Sequence, residues 1–150
     1  YSQTEKLLAF NAKETAKSRG ETVTKIDSKY INVKAKGDFV KAFRNVTGET
    51  WFSIPGGYIA NFLLNGIDYR IAYNDKGKWQ YNQLIYSEEN LQFRVRDMVK
   101  SQYYDFDIEV CTEYQIRDLP IYMLTLKNPK TLSKLKIIIN NGEIEIPANI

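Results

Sequence analysis

The chain has 150 residues, of which 43% are hydrophobic and 26% are charged, and its formal net charge is +3. These values are typical of one soluble globular domain and exclude a disordered chain. The sequence contains no histidine and one cysteine, Cys111. The lack of histidine excludes Ser-His-Asp and Cys-His nucleophile systems and histidine-ligated zinc sites, and the single cysteine excludes an internal disulfide.

Positive charge is concentrated in residues 1–50, which hold ten Lys or Arg against six Asp or Glu. Nucleic-acid-binding domains carry a larger excess on one face, so we interpret this third as a solvated surface and predict no nucleic-acid partner. No apolar run reaches the length of about 18 residues that a transmembrane helix requires. Because the chain starts with Tyr1 instead of Met, we expect that a leader peptide has been removed.

The first half of the chain predicts an arm, a short helix and four strands. Residues 1–28 are predicted to form an N-terminal arm or helix, and the alternation from Lys29 to Lys36 predicts a short strand or extended lead-in. Asp38 is the predicted N-cap of a helix with Phe39, Phe43 and Val46 along one stripe. The four strands that follow are separated by turn residues: Trp51–Ile54, Tyr58–Leu64, Ile67–Tyr73 and Lys78–Tyr86.

The second half predicts the same order of elements. Ser87 is a plausible N-cap, and Leu91, Val95, Val99 and Tyr103 recur at steps of four, which predicts a longer amphipathic helix. Strand patterns return after it at 108–116, 121–127, 135–140 and 143–146, and Pro147 ends the last of them.

The two halves also end alike, in "IAYNDKG" at 71–77 and "IIINNG" at 137–142. We therefore predict an α+β fold: a tandem repeat of helix plus antiparallel β-meander, covering about 37–86 and 87–146, that forms one sheet with the helices packed on one face. In this interpretation residues 29–150 form a single domain.

Several motifs resemble a known family: "FVKAF" followed by Trp51, then "YIANFLLNG", "AYNDKG" and "LQFRVRDMVKSQYYDFDI". Over residues 37–146 these resemble the PepSY-like, β-lactamase-inhibitor-like small proteins of Bacteroidetes, although Gln92 replaces the proline of the family's helix motif. The resemblance implies a periplasmic or cell-surface protein with no established enzymatic activity. It predicts the fold better than the function, because the matching residues are mostly core and turn positions.

Four short motifs could carry chemistry, and each also has a structural explanation. The loop "NDKGK" at 74–78 could bind a metal or a phosphate, but its likeness to the second hairpin favours a turn. Pro55-Gly56-Gly57 precedes a strand and not a helix, which favours a turn over a phosphate site. Asp105, Asp107 and Glu109 lack the pattern of a calcium loop, and Cys111 has no histidine or neighbouring cation to activate it. We therefore predict no metal, cofactor or catalytic residue.

The remaining candidate is the sheet face turned away from the helices. Alternation along the strands places Ala60, Phe62, Leu64, Ile71, Tyr73, Trp79 and Tyr81 under the helices. The opposite face is then predicted to carry the binding residues Asn61, Arg70, Gln80, Asn82, Tyr86, Met123, Thr125 and Lys136. Such a mixed surface suits a protein, peptide or envelope partner. The alternatives are an ordinary solvated face, or a small-molecule carrier or enzyme with a pocket between sheet and helices.

Overall fold

The computed structural model describes residues 23–116 and 118–147. Its two α-helices are α1 (Val33–Ala42) and α2 (Phe93–Gln102). Its strands are β1 (Thr24–Ile26), β2 (Thr50–Ile54), β3 (Gly57–Leu64), β4 (Ile67–Asn74), β5 (Trp79–Tyr86), β6 (Asp107–Gln115), β7 (Ile121–Lys127), β8 (Lys134–Asn140) and β9 (Glu143–Glu145). The nine strands form one antiparallel sheet in chain order, so the predicted α+β class is confirmed.

The chain groups into two compact units. The first reaches to Phe62 and takes in Tyr69–Asn82, and the second takes in Leu63–Asp68 and the residues from Gln83 onward. The first unit therefore contains α1 and the second contains α2. Strand β1 lies within the segment 1–28 predicted as an N-terminal arm or helix, and residues 1–22 of that segment lie outside the described residues.

The tandem repeat is visible in the local backbone. A 3-10 helix at Ser28–Tyr30 precedes α1 and another at Glu88–Asn90 precedes α2, and both pairs are offset by the same number of residues, 93 − 33 = 60 and 88 − 28 = 60. Hydrogen bonds recur at this offset: the Val46 N–H donates to the Phe43 carbonyl, and the Phe106 N–H donates to the Tyr103 carbonyl. The predicted order of helix and meander is thus confirmed for both halves.

Helix α1 begins at Val33, five residues before the predicted cap Asp38. Its N-cap is Asn32, whose Oδ1 accepts hydrogen bonds from the N–H groups of Lys34 and Ala35 at 2.8 and 3.4 Å. The expected strand or lead-in over 29–36 is therefore wrong, and so is the cap at Asp38. The apolar residues of that segment fit a helix equally well, because Ile31, Ala35 and Phe39 recur at steps of four and all three are buried.

Aromatic rings fill the space between α1 and the strands of its unit. Phe39 packs edge-on against Trp51 and Phe62, with ring centroids 5.5 and 5.8 Å apart. Tyr73 lies against the other side of Trp51, and Tyr69 stacks on Phe62 at 4.7 Å. These contacts make one continuous core in which Trp51 is 1% exposed.

The core of the second unit is aliphatic where the first is aromatic. Cys111 of β6 lies opposite Leu124 of β7, which lies opposite Ile137 of β8, and all three side chains are fully buried. The buried residues of α2 are Val95 and Val99, as their spacing predicts. The two units therefore share an element order and a buried face but fill it with different side chains.

The loop "NDKGK" is a hairpin between β4 and β5, as predicted. The Asn74 side chain accepts hydrogen bonds from the N–H groups of Lys76 and Lys78, and Gly77 has a φ of +82°. The hairpin also contacts the start of α1, because the Asn32 amide donates to the Asp75 carbonyl at 3.5 Å. The predicted turns at Pro55-Gly56-Gly57 and Asn140–Gly142 are confirmed as well, the first joining β2 to β3 and the second joining β8 to β9.

Candidate functional site

The face of β2, β3 and β4 that lies opposite α1 is the first candidate surface. Ala60 and Phe62 belong to the core under α1, so Asn61 between them points to the other side of the sheet. Arg70 lies between the core residues Tyr69 and Ile71 and points the same way. The structure therefore places two of the predicted binding residues where alternation put them. We call this surface the Arg70 face.

The Arg70 face mixes polar and aromatic side chains. Asn61 lies opposite Thr50 in the β2–β3 ladder, and its Nδ2 donates to the Tyr69 carbonyl at 2.9 Å. Phe52 of β2 is half-buried, and it lies between Lys25 of β1 and Ile59 of β3 in the register. Arginine and aromatic side chains are enriched in protein interfaces, because both offer large contact areas together with directional polar groups.

Strand β5, next to β4 in the sheet, carries Trp79, Gln80 and Asn82, which do not follow the predicted alternation. Trp79, expected in the core, is 38% exposed, and its indole N–H donates to Asn82 Oδ1 at 2.8 Å. On a regular strand residues three apart point to opposite faces, so this bond shows that β5 does not alternate regularly here. Gln80 is exposed, and its amide donates to the carbonyls of Lys78 and Trp79. Leu64, also expected under a helix, is exposed.

Two predicted binding residues of the second unit are buried and lie on different faces. The Tyr86 hydroxyl donates to Glu113 Oε1 at 2.6 Å, and Glu113 lies opposite Tyr122 in the β6–β7 ladder. Met123 follows Tyr122 along β7 and so points to the other face, where it is buried between Thr112 and Ile138. The expectation that both line one open face is wrong, because the phase of a strand cannot be read without its register.

Thr125 and Lys136 remain together on the second unit. They lie opposite each other in the β7–β8 ladder, and Val110 of β6 lies opposite Thr125 on the other side. Lys136 and Val110 are exposed and Thr125 is half-buried. A bulge between Ile108 and Val110 shifts the register of β6 by one residue, and this shift brings Val110 opposite Thr125.

A polar cluster around Glu113 was not predicted. Its two carboxylate oxygens accept hydrogen bonds from the Tyr86 hydroxyl and, at 2.8 Å, from the Gln115 amide. Burial, together with the bond to Glu113, raises the pKa of the Tyr86 hydroxyl well above its usual value. Tyr86 and Glu113 are 27 residues apart, so only the pairing of β5 with β6 brings them together. The cluster holds a carboxylate in place but presents no activated nucleophile.

Cys111 lies beside this cluster and is inert. Burial raises the pKa of its thiol to about 12, and the carboxylates of Glu88 and Glu113 add to the effect. Since the thiolate is the reactive form, a buried thiol with so high a pKa is a poor nucleophile.

The raised pKa values predict a loss of stability in alkaline solution. Burial also raises the pKa of the Tyr122 hydroxyl to about 12. Both groups ionise at lower pH in the unfolded chain, where their ordinary values are 9.0 for the thiol and 10.0 for the phenol. The contribution of the neutral Cys111 thiol and Tyr122 phenol to the free energy of unfolding is complete below those ordinary values. It is lost as the pH rises towards about 12. We expect the free energy of unfolding, measured with urea, to fall with rising pH, and to fall less steeply in Cys111→Ala. The same dependence on pH in both proteins would contradict the raised pKa of the thiol.

The acidic residues that follow α2 do not form a metal centre. Glu109 pairs with Lys134 at 3.4 Å, and Asp105 accepts a hydrogen bond from the Asn128 amide. Across residues 23–116 and 118–147 there is no group of three or more His, Cys, Asp or Glu side chains that could hold a metal ion. No helix within those residues is long and apolar enough to cross a bilayer.

Comparison with solved structures links this fold to proteins of Bacteroides. A candidate periplasmic protein of Bacteroides eggerthii is 20% identical with a TM-score of 0.63, and the match covers 77% of this chain and 86% of that one. A DUF2874 family protein of Bacteroides uniformis is 18% identical with a TM-score of 0.63 and the same coverage. A BLIP-like protein of Bacteroides fragilis is 13% identical with a TM-score of 0.64, covering 79% and 88%.

These likenesses concern the fold. The sequence matches no protein-family model and no curated protein. The predicted resemblance to inhibitor-like proteins of Bacteroidetes is supported by the shared architecture, whereas the resemblance to PepSY-like proteins stays a prediction.

Proposed function

We propose that this chain is an exported, non-enzymatic binding module that recognises a protein or peptide partner through the Arg70 face. The observation that carries the proposal is the position of Asn61 and Arg70 between core residues, which directs both side chains away from α1. The half-buried Phe52 adds apolar area to the same surface. Recognition would rest on shape and polar complementarity, without bond-making chemistry.

The packing under α1 supports a surface site over an internal one. A carrier or an enzyme with a pocket between helix and sheet needs a cavity lined by a few polar groups. In the first unit that space holds four aromatic rings in a continuous series of contacts: Phe62 on Phe39, Phe39 on Trp51, and Trp51 on Tyr73. The one thiol of the chain is buried and protonated at neutral pH, so it does not supply a nucleophile.

Export is part of the proposal and rests on the fold neighbours. One of them is a candidate periplasmic protein, and all those compared come from Bacteroides. The BLIP-like neighbour further supports a role in binding another protein, since its name describes an inhibitor-like architecture.

Affinity capture from an envelope extract, with matched arginine variants, tests the proposal. The immobilised full chain and the control Arg94→Glu, which reverses an exposed arginine of α2, are expected to retain the same partner. Arg70→Glu is expected to weaken binding of that partner at least about tenfold, because a like charge or an unpaired charge is then buried in the interface. Phe52→Ala checks the apolar part of the surface independently.

Circular dichroism and thermal melting establish that each variant is folded before capture. Calorimetry with the purified partner then gives the affinities. The Arg70 face is excluded as the binding surface if Arg70→Glu and Phe52→Ala, both folded, bind as tightly as the unmodified chain.

A further inference from the structure

The outer face of α1, which points away from the strands, is apolar along its centre. Successive residues of an α-helix are rotated by about 100°, so burial of Ala35 and Phe39 directs Val33, Gly37 and Val40 outward. Val33 is 86% exposed and Val40 is 55% exposed. Tyr30, in the 3-10 helix just before α1, is 71% exposed.

Cations surround this apolar line on both sides. Lys34 and Lys41 flank it on one side and Lys36 on the other, while Lys29 and Arg44 lie at its two ends. Between residues 29 and 44 there are five cations and one carboxylate, Asp38. Within the part of the chain that the structure describes, none of these five cations forms an ion pair with a carboxylate.

The equivalent face of α2 has exposed apolar residues without the charge. Phe93 on α2 and Tyr104, two residues past the end of that helix, are 70% and 81% exposed, and both side chains are larger than the two valines of α1. Between residues 88 and 105, however, three cations are offset by four carboxylates. Arg96 of α2 is already paired with Glu88 at 2.7 Å. Of the two helices, α1 therefore combines exposed apolar residues with an excess of cations over carboxylates, although Lys29 also lies over the Tyr30 ring, 5.1 Å from its centroid.

We propose that the outer face of α1 docks on an anionic membrane surface. Val33, Val40 and Tyr30 would enter the headgroup region, and the surrounding lysines would lie against lipid phosphates, as in helices that bind in the plane of the interface. A second copy of the chain is a poor occupant, because it would bring lysines against lysines. This surface lies on the side of the first unit away from the Arg70 face, so docking on lipid leaves that face accessible.

Vesicle co-sedimentation of the full chain tests the proposal. Vesicles that mix phosphatidylglycerol with phosphatidylcholine are expected to bind the chain at low salt and to release most of it at high salt, and vesicles of pure phosphatidylcholine are expected to bind it poorly. Lys34→Glu with Lys41→Glu is expected to weaken binding by more than about tenfold. The matched charge control, Arg94→Glu with Lys130→Glu, makes the same change of net charge in the second unit. It is expected to weaken vesicle binding only by the smaller amount that the lower net charge alone causes.

A second pair of variants isolates the apolar part. Val33→Ser with Val40→Ser is expected to weaken binding by several-fold without changing net charge. The control Phe93→Ser with Tyr104→Ser, at the start of α2 and just after its end, is expected to have no effect. Equal loss in both charge variants would mean that net charge alone drives the association, and would overturn the proposal. Tight binding of soluble polyglutamate, combined with full vesicle binding by the serine variant of α1, would identify an acidic protein as the occupant and equally overturn it.

Discussion

Replacing Trp51 by alanine is expected to lower the free energy of unfolding by about 3–5 kcal/mol, the usual cost of removing a fully buried large aromatic side chain. Trp51 is 1% exposed and lies between Phe39 and Tyr73, so its removal leaves a cavity bounded by rings from α1 and β4. It also removes the indole N–H that donates to Glu49. Since small domains are stable by only about 5–15 kcal/mol, this change is expected to shift the urea midpoint strongly.

The other tryptophan supplies the matched control. Trp79→Ala removes the same side chain from a position that is 38% exposed, where its polar contact is with Asn82. We expect a loss below about 1 kcal/mol there, as for most surface substitutions. Urea unfolding followed by far-ultraviolet circular dichroism measures both. Similar losses in the two variants would contradict the division into core and surface tryptophan.

Gly77→Ala is expected to destabilise the fold by about 2–3 kcal/mol, because two costs coincide at this position. The φ of Gly77 is +82°, a conformation that strains any residue with a Cβ. A Cβ there would also lie 2.5 Å from Asn32 Oδ1 and 2.9 Å from the Ala35 backbone nitrogen. The substitution therefore pushes against the atom that caps α1.

Gly142→Ala separates these two costs. Gly142 has a φ of +77° in the equivalent hairpin of the second unit, but no atom lies within 4 Å of the position its Cβ would take. We expect the strain alone there, about 1–2 kcal/mol. A double-mutant cycle with Asn32→Ala completes the test: if Gly77→Ala acts through the cap, its effect shrinks once the Asn32 side chain is gone. Fully additive losses would show that the cap is not involved.

Periodicity and turn residues predict the order of elements from α1 onward, but not strand β1. Helix α2 follows from Val95 and Val99 at a step of four, and the hairpins follow from glycines at 77 and 142, because both signals are local. The start of α1 was missed because Ile31, Val33 and Ala35 fit a strand of period two as well as a helix. The Asn32 cap decides between them, and its partners become visible only in the folded backbone.

The candidate site could be predicted only where the strands alternate regularly. Asn61 and Arg70 lie on strands that alternate regularly, so their face could be inferred from the core residues beside them. Tyr86 was misplaced because β5 departs from alternation, and this irregularity has no clear sequence signal. Met123 lies two residues before Thr125 on β7 and shares its face, but it is buried, which alternation alone does not predict. The exposed outer face of α1 was not predicted either, because the alternation over 29–36 favoured a strand or extended lead-in for the first part of this helix.

The strictly sequential order of the strands has a consequence for the speed of folding. Because each strand pairs with the strand next to it in the chain, most of the sheet is assembled from hairpins that close over short loops. The longest intervals between paired strands are the one from β1 to β2, which contains α1, and the slightly shorter one from β5 to β6, which contains α2. Closure of short loops costs little chain entropy, so a sheet of this size is expected to form faster than a sandwich with long crossovers. Pairing can also proceed from the N-terminal strands onward while the chain is still emerging during synthesis.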